Sequence, residues 1–260
     1  MMANIFVASL VFAIAFNLIM FVIAFRRGTD RLTDISYALT FAALAIFATT
    51  QSGKDSLHYV AAGMVLVWAI RLGGFLLYRI NKTGKDVRFD GMREDFLKFL
   101  RFWFLQGVTV WVLMIPVISL AQQSTVMGTL SRIGFVVWLA GLAIEATADF
   151  QKFAFSQKPK NKNAWIDEGI WRYSRHPNYF GEILVWVGMY LLIAPSLSKT
   201  TAIISFVSPL YIIVLLLFVS GIPILEKSAD KKWGNDKAYQ AYKRATSILV
   251  LLPKRSQKGR

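Results

Sequence analysis

The stretch "WRYSRHPNYFGEILVWVGMYLLIAPS" (residues 171–196) joins a polar, basic segment directly to a long apolar run. Its first twelve residues hold two Arg, one His, one Asn and one Glu, whereas residues 183–194 hold no charged side chain. Burying an unpaired charge in lipid is costly, so membrane proteins usually keep such residues away from the apolar edge. The crowding therefore indicates a functional site at a membrane boundary, provided that the chain as a whole belongs in a membrane.

The composition is that of an integral membrane protein. The 260 residues are 55% hydrophobic and 17% charged, with a mean hydropathy of +0.47, whereas a soluble domain carries about 25% charged residues. The chain has no Cys, and its two His, His58 and His176, lie far apart in sequence. Disulfides and Cys-ligated metals are therefore excluded, and we expect no metal site.

Seven apolar segments approach the roughly 20 residues that a helix needs to cross a bilayer. They are residues 3–25, 33–50, 57–79, 102–121, 130–150, 179–196 and 201–223. We predict an all-α integral membrane bundle of seven transmembrane helices that forms a single domain, residues 1–260. The first segment lacks a basic start and a small-residue cleavage site, so we expect an anchor rather than a removed signal peptide.

The net charge of +15 follows the expected membrane topology. Of the 30 Lys and Arg residues, 26 lie in four places: residues 26–31, 79–101, 151–178 and the tail 224–260. All four fall on one face if seven helices alternate, so the positive-inside rule predicts an outside N-terminus and a cytoplasmic C-terminus. Topology explains most of the charge, so we expect no nucleic-acid partner. The remainder suits membrane lipids or an anionic ligand.

Ionisable residues inside membrane segments are candidates for function. Asp34 begins the second segment, where the structural alternative is a helix N-cap. Arg71 lies in the middle of "VWAIRLGGFLLYR" (67–79), where the alternative is an Arg–carboxylate pair. Residues at three- to four-residue spacing share a helix face. This segment carries such a stripe, and the alternative interpretation is that its side chains only pack against a neighbouring helix. The stripe consists of Trp68, Arg71, Phe75 and Tyr78.

Polar residues also meet at the cytoplasmic ends of the fifth and sixth segments. Glu145 and Asp149 lie four residues apart, on one helix face, and repel each other unless donors bind them. Pro177 suits the first turn of a helix, which places Asn178 and Glu182 on a common face. Gly181 between them permits close approach of a ligand or of another helix.

The sixth segment is preceded by basic residues that predict an anion site at the helix N-terminus. These are Lys158, Lys160, Lys162, Arg172 and Arg175. Lipid headgroups explain the Lys cluster equally well, but they do not explain the Asn and Glu residues beyond it. A ligand that is polyanionic at one end and rich in donors at the other, a phosphorylated nucleotide cofactor, suits both groups.

These motifs resemble the C-terminal domain of the steroid 5-alpha-reductase family, and in particular its bacterial branch. The resemblance covers about residues 68–255 and rests on "WAIRLGGFLLYR", "KDVRFDGMR", "EATADFQ", "GIWRYS", "RHPNYFGE", "SGIPILEK" and "YQAYKRATS". It implies a seven-helix membrane reductase that binds NADPH in a cytoplasm-facing cavity. The substrate would be a lipophilic enone that enters from the bilayer, such as a 3-oxo-Δ4 steroid, and the location would be the bacterial inner membrane.

The resemblance also implies roles for residues at matching motif positions. Asn178 and Glu182 would contact the nicotinamide end of the cofactor, and Glu145 and Asp149 its adenosine or ribose. Arg172 and Arg175 would bind the pyrophosphate or the 2′-phosphate. We assign the remaining cofactor contacts to Lys158, His176, Tyr179, Glu226, Lys227, Tyr239 and Tyr242.

The sequence departs from relatives with an established steroid substrate. Those relatives carry a Tyr that polarises the substrate ketone where this chain has Trp68, and indole donates a hydrogen bond but delivers no proton. We expect Arg71, Tyr37 and Tyr78 to face the carbonyl oxygen, with Asp34 orienting them or relaying a proton. Trp68 and Phe75 would contact the substrate. The relatives' second-helix Gln-Glu pair has no clear counterpart, and Glu145 replaces an Asn.

One enzymatic alternative shares the same core motif. Membrane methyltransferases of the isoprenylcysteine and phospholipid type resemble the "RHPNY" region (175–179) and bind S-adenosylmethionine there. That cofactor carries no phosphate, so the basic excess at residues 158–175 favours NADPH. A channel or lipid-binding scaffold would need a polar stripe through several helices, whereas the polar residues here gather near one face.

Overall fold

The computed structural model describes residues 2–53, 55–84, 86, 89–161 and 163–254. Its α-helices, in chain order, are α1 (Met2–Arg26), α2 (Arg31–Thr50), α3 (Ser56–Thr83), α4 (Phe96–Leu120), α5 (Thr129–Gln157), α6 (Pro177–Ile193), α7 (Lys199–Ser205), α8 (Val207–Val214), α9 (Ile222–Trp233) and α10 (Lys237–Ala245). Seven helical stretches among the described residues are long and apolar enough to cross a membrane. The prediction of an all-α, seven-helix membrane protein is confirmed.

Several helices run beyond the apolar segments that predicted them. The third segment was predicted to end at residue 79 and the fifth at residue 150, whereas α3 continues to Thr83 and α5 to Gln157. Lys, Arg and Gln are good helix formers, so a helix continues after it leaves the apolar part of its sequence. Helix α4 begins early, at Phe96, because the Asp95 side chain caps it by accepting from the backbone N–H of Lys98.

The seventh span is not the single helix that the sequence predicted. It is divided into α7, α8, a π-helical turn at residues 215–219, and α9. Pro209 lies in the first turn of α8 and Pro223 in the first turn of α9. Proline lacks a backbone N–H and is tolerated in a first turn but not in a helix interior, so each restart follows from a proline.

The chain divides into two compact units. The N-terminal unit comprises residues 1–132 and 189–208, and the C-terminal unit comprises residues 133–188 and 209–260. In the N-terminal unit, α2 packs against α3 and α1 packs against α4. A buried polar network joins three of these helices: Gln106 donates to Asn17 at 2.8 Å, and Asn17 donates to Thr40 at 3.1 Å.

In the C-terminal unit, α5 and α6 cross with their backbones almost in contact. A Cβ atom added to Gly188 would lie 2.5 Å from the backbone N of Trp138, and one added to Gly181 would lie 2.6 Å from that of Glu145. Any side chain at either position would force the helices apart. The close approach predicted for Gly181 is therefore that of another helix.

Candidate functional site

The C-terminal unit contains a cavity of ≈ 470 Å³. Its walls come from the end of α5, from residues 161–176, and from α9 and α10. Among the described residues, six aromatic side chains line it: Phe155, Trp165, Trp171, Trp233, Tyr239 and Tyr242. Three cationic side chains also line it, Lys152, Arg175 and Lys232, against one carboxylate, Glu226. The cavity therefore combines flat apolar walls with an excess of positive charge.

Glu226 in α9 is the centre of the charged wall. Its carboxylate accepts from Arg175 Nη1 at 2.7 Å and from His176 Nε2 at 2.8 Å, and it lies 3.2 Å from Lys243 Nζ. Lys243 also donates to Asp230 at 2.5 and 2.7 Å. Glu226 and Asp230 are four residues apart on one face of α9, so a single helix face aligns the whole cluster. The cluster links the start of α6 to α9 and α10.

His176 is buried in the cavity wall. Burial lowers the pKa of His176 most strongly, and the charges of Lys152 and Arg175 lower it further, against the opposing effect of Glu226. The imidazole is therefore neutral at neutral pH, and its contact with Glu226 is a hydrogen bond rather than an ion pair. A carboxylate can only accept, so Nε2 carries the proton and Nδ1 is left as an acceptor.

Three buried polar atoms of the cavity wall have no hydrogen-bond partner among the described residues. They are Nδ1 of His176, Nε of Arg175 and Nε1 of Trp165. An unpaired buried polar atom costs about 1–3 kcal/mol. A ligand that offers one donor, for His176, and two acceptors, for Arg175 and Trp165, would remove this cost.

The aromatic wall is built by contacts that fix its rings. The ring centroid of Tyr239 lies 5.3 Å from that of Trp165 and 5.8 Å from that of Trp233. The Tyr242 hydroxyl donates to the backbone O of Trp171 at 3.0 Å. Burial raises the pKa of both Tyr239 and Tyr242, so both phenols are neutral. Rings held in this way suit a flat ligand ring, which gains from stacked or edge contacts.

The structure brings together five of the predicted cofactor-binding residues at this cavity: Arg175, His176, Glu226, Tyr239 and Tyr242. Tyr179 stacks on the His176 ring at a centroid distance of 5.7 Å. The other predicted residues of this unit do not line the cavity. Glu145 is buried, Asp149, Asn178 and Glu182 are partly buried, and Lys158, Arg172 and Lys227 are exposed. Lys158 lies 3.8 Å from Glu168, and Lys162 falls outside the described residues.

The predicted catalytic residues lie in the N-terminal unit. Asp34 pairs with Arg79 at 3.3 Å, and Arg79 also donates to Asp86 at 3.1 Å. The N-cap alternative for Asp34 is wrong, because α2 begins at Arg31 and Asp30 occupies the cap position. The "KDVRFDGMR" motif is described in part, since Lys85, Val87 and Arg88 fall outside the described residues.

The stripe on α3 is not a single buried face. Trp68 is fully buried and packs edge-on against Phe41 at 4.9 Å, and Tyr37 packs on the same ring at 5.0 Å. Tyr78 is 54% exposed, and the Lys82 ammonium lies 6.0 Å from its ring centre. Ten residues separate the two ends of the stripe, which places them about 80° apart around the helix. Arg71 and Phe75, between them, are partly buried.

A comparison with protein families matches residues 20–246 to a family model described as a protein of unknown function, DUF1295. The chain belongs to this family. The match spans every residue that lines the cavity and every predicted site residue. No curated protein and no solved structure matches the chain.

Several residues that line the cavity are not predicted by the sequence motifs. Lys152, Trp165, Lys232 and Trp233 line it but were not singled out. In two of these places a Trp lies close to Lys in a polar stretch, "NKNAW" (161–165) and "KKW" (231–233), a pairing that favours cation–aromatic contacts. The Lys232 ammonium indeed lies 4.6 Å from the Trp233 ring centre.

Proposed function

We propose that the protein is a membrane-embedded reductase that uses NADPH, and that the C-terminal cavity holds the phosphorylated half of this cofactor. The observation that supports this most is the make-up of the cavity wall, three cations against one carboxylate beside fixed aromatic rings. A cavity of ≈ 470 Å³ also falls in the range of small-molecule sites, about 300–1,000 Å³. The resemblance of the surrounding motifs to steroid 5-alpha-reductases supplies the reaction class.

The polar atoms of the wall fit a phosphorylated nucleotide. Lys152 and Lys232 offer ammonium groups to phosphate oxygens, and Arg175 Nε and Trp165 Nε1 offer directed N–H donors. His176 Nδ1 accepts from a hydroxyl or an amino group, as found on ribose and adenine. The ring cluster of Trp165, Trp233 and Tyr239 provides a face for the base.

When bound, NADPH would supply the hydride that reduces the carbon–carbon double bond of a lipophilic enone. The chain's own contribution is to hold the cofactor and to stabilise negative charge on the carbonyl oxygen. A directed donor in a dry site contributes about 2.7–4 kcal/mol to such stabilisation. Arg71, Tyr37 and Tyr78 remain our proposed donors, and Asp34 remains their proposed orienting group or proton relay.

The alternative is a methyltransferase that binds S-adenosylmethionine. In that function a cavity carboxylate would pair with the ammonium group of the cofactor. Glu226 is the one carboxylate that lines the described cavity, and it already accepts from Arg175 and His176 and contacts Lys243. Arg175 and Lys243 already compensate its negative charge, so it attracts a further ammonium group weakly, which favours the phosphorylated cofactor.

The deciding experiment compares ligands on detergent-purified protein by thermal shift and by tryptophan fluorescence. NADPH at about 100 times its dissociation constant should stabilise the fold by about 2.7 kcal/mol. NADPH should also quench the emission of Trp165 and Trp233. NADH serves as the control for the 2′-phosphate. Stabilisation by S-adenosylmethionine alone would replace the reductase with a methyltransferase.

A matched pair of variants locates the site. Lys232→Gln removes a cavity cation, whereas Lys231→Gln removes an exposed cation that does not line the cavity. We expect Lys232→Gln to weaken NADPH binding about tenfold, equivalent to about 1.4 kcal/mol, and Lys231→Gln to leave it unchanged. Equal effects would show that NADPH senses only the overall charge. Oxidation of NADPH by added enones, followed by absorbance, then tests the reaction itself.

We further propose that the protein resides in the bacterial inner membrane with the cavity toward the cytoplasm. The support is the placement of 26 of the 30 Lys and Arg residues on one expected face. A fluorescent protein that folds only in the cytoplasm, fused after residue 260, should fluoresce. A fusion at the N-terminus should not, and the reverse pattern would contradict the orientation.

A further inference from the structure

The segment that follows α10 is bound to the residues that precede α6. The backbone N of Arg175 donates to the Ser247 carbonyl at 2.9 Å, and the Ser174 hydroxyl donates to the Leu249 carbonyl at 2.6 Å. The backbone N of Leu252 donates to the Tyr173 carbonyl at 3.2 Å. Three hydrogen bonds therefore hold residues 247–252 against residues 173–175.

This bound segment presents apolar side chains outward. Ile248, Val250 and Leu252 are 44%, 43% and 49% exposed, and Leu249 and Leu251 between them are partly buried. Tyr173, which bonds to Leu252, is itself 42% exposed. We call these four exposed residues, Tyr173, Ile248, Val250 and Leu252, the tail patch. Contiguous exposed apolar residues on a fixed segment indicate a surface that another phase or molecule covers.

The position of the tail patch indicates what covers it. Tyr173 lies four residues before Pro177, where the span Pro177–Ser196 begins. Four residues of chain reach at most about 14 Å, so Tyr173 lies within that distance of the membrane-crossing helix. The hydrogen bonds to residues 173–175 hold the rest of the tail patch beside Tyr173. An apolar surface this close to a span lies at the depth of the lipid headgroups, where Tyr side chains are also enriched.

The charges around the tail patch match an anionic leaflet. Arg172 directly precedes Tyr173, Arg244 lies four residues before Ile248, and Lys254 lies two residues after Leu252; all three are exposed. The sequence then adds Arg255, Lys258 and Arg260. A short apolar row flanked by Lys and Arg is typical of segments that lie in the interface and bind anionic headgroups.

We propose that the tail patch is an interfacial membrane anchor that lies among the headgroups of an anionic leaflet. This inference depends on the tail geometry alone and is independent of the proposed reductase activity. It assigns to residues 247–252 the role of lying on the membrane, bonded to the residues that precede α6.

The absence of Cys from the chain makes single-cysteine labelling direct. A spin label is attached at Ile248→Cys, Val250→Cys or Leu252→Cys, with Lys237→Cys as the control on an exposed polar position of α10. The protein is reconstituted in phosphatidylcholine vesicles, with or without phosphatidylglycerol. Paramagnetic resonance then measures the collision of each label with oxygen, which partitions into lipid, and with a water-soluble nickel chelate.

We expect the three tail labels to collide more with oxygen than with nickel, and the Lys237→Cys label to do the opposite. The difference should grow when phosphatidylglycerol is present, and Arg244→Gln with Lys254→Gln should reduce that growth. Nickel access equal to that of the control would place the patch in water and overturn the proposal. Low access to both agents, with spin–spin broadening that rises with the protein-to-lipid ratio, would show that a second copy covers it instead. Immersion that is the same in both lipids would overturn the assignment to anionic headgroups.

Discussion

Both units of the protein bury polar side chains, but the two units differ in how many of these side chains have hydrogen-bond partners. In the N-terminal unit the amide N–H groups of Asn17 and Gln106 are used, since Asn17 also donates to the Ala13 carbonyl at 2.8 Å and Gln106 to the Thr33 carbonyl at 3.2 Å. The Thr40 hydroxyl donates to the Ser36 carbonyl at 2.7 Å. The donors of this network are therefore all paired with acceptors from the protein itself.

In the C-terminal unit, three buried polar atoms around one cavity are left without a partner among the described residues, those of Arg175, His176 and Trp165. Such atoms also occur elsewhere, in His58 and Trp103 of the N-terminal unit and in Trp138 and Thr246 of the C-terminal unit, but none of these four residues lines the cavity. A satisfied network stabilises helix packing, whereas buried polar atoms without a partner cost free energy. The comparison therefore separates a satisfied structural cluster from one whose polar atoms lack partners among the described residues.

The largest effect is expected from removing the carboxylate at the centre of the C-terminal cluster. Glu226→Ala leaves the partly buried Arg175 guanidinium without its counter-charge, whereas Lys243 keeps its pair with Asp230. Breaking such a partly buried pair should lower the free energy of unfolding by about 2–3 kcal/mol. Chemical unfolding in detergent measures this. Glu168→Gln, at an exposed carboxylate, is the control, and a loss no larger than that of the control would show that the cluster contributes little to stability.

The next effect tests how tightly α5 and α6 must cross to shape the C-terminal unit. Gly188→Ala places a methyl group against the Trp138 backbone and should destabilise the protein by about 1–3 kcal/mol. Gly74→Ala, in α3, meets nothing within 4 Å, and it should be neutral or slightly stabilising because Ala favours helix. Thermal unfolding of both variants checks the contrast. Equal melting temperatures would mean that the crossing can relax.

A pair of substitutions tests the contrast between satisfied and unsatisfied polar groups directly. Gln106→Leu removes two hydrogen bonds from a buried network, so we expect a loss of about 1–2 kcal/mol in stability and unchanged NADPH affinity. Trp165→Phe removes an unpaired N–H, so stability should hold while NADPH affinity falls severalfold. Melting temperature and ligand titration are measured on both variants. The opposite assignment of effects would refute the division between the two units.

The membrane-crossing segments could be predicted from sequence because hydropathy and length alone determine which segments cross a bilayer, whereas the polar helix α10 has no such signal. The first residue of α6 could be predicted as well, since Pro177 is favoured only in a first turn. Pro209 and Pro223 likewise indicate the start of a new helix. The continuous apolar run of residues 201–223 nevertheless predicts a single uninterrupted span.

The site was predictable only in part, for a physical reason. The motifs identified Arg175, His176 and Glu226, but the pairing of side chains about 50 residues apart depends on tertiary packing. Trp165 lies in a loop without periodicity, so no pattern assigns it to a wall. The apolar run of the third segment ends at residue 79, so the sequence assigns Arg79 to a basic loop. In the structure α3 continues past Arg79, which lies 3.3 Å from Asp34.

The smallest effect is a pH dependence carried by one residue of the cavity wall. The pKa of His176 is lowered from its ordinary value of 6.5, mainly by burial and then by the charges of Lys152 and Arg175, against the opposing pull of Glu226. Above that ordinary value the folded and unfolded chains both hold a neutral imidazole. As the pH falls through it, the unfolded chain binds a proton that the folded chain does not, so stability is lost until the lowered pKa is reached.

This prediction is tested by measuring the free energy of unfolding between about pH 8 and about pH 5.5, above the range in which most carboxylates titrate. His176→Gln keeps a donor for Glu226 but does not titrate, and the two proteins are otherwise identical. The wild type should therefore lose more stability than the variant on acidification. Parallel curves would show that His176 titrates alike in the folded and unfolded chains. A wild type that gains stability relative to the variant would show that Glu226 outweighs burial, and that the imidazole in the cavity is a cation with no acceptor for a ligand.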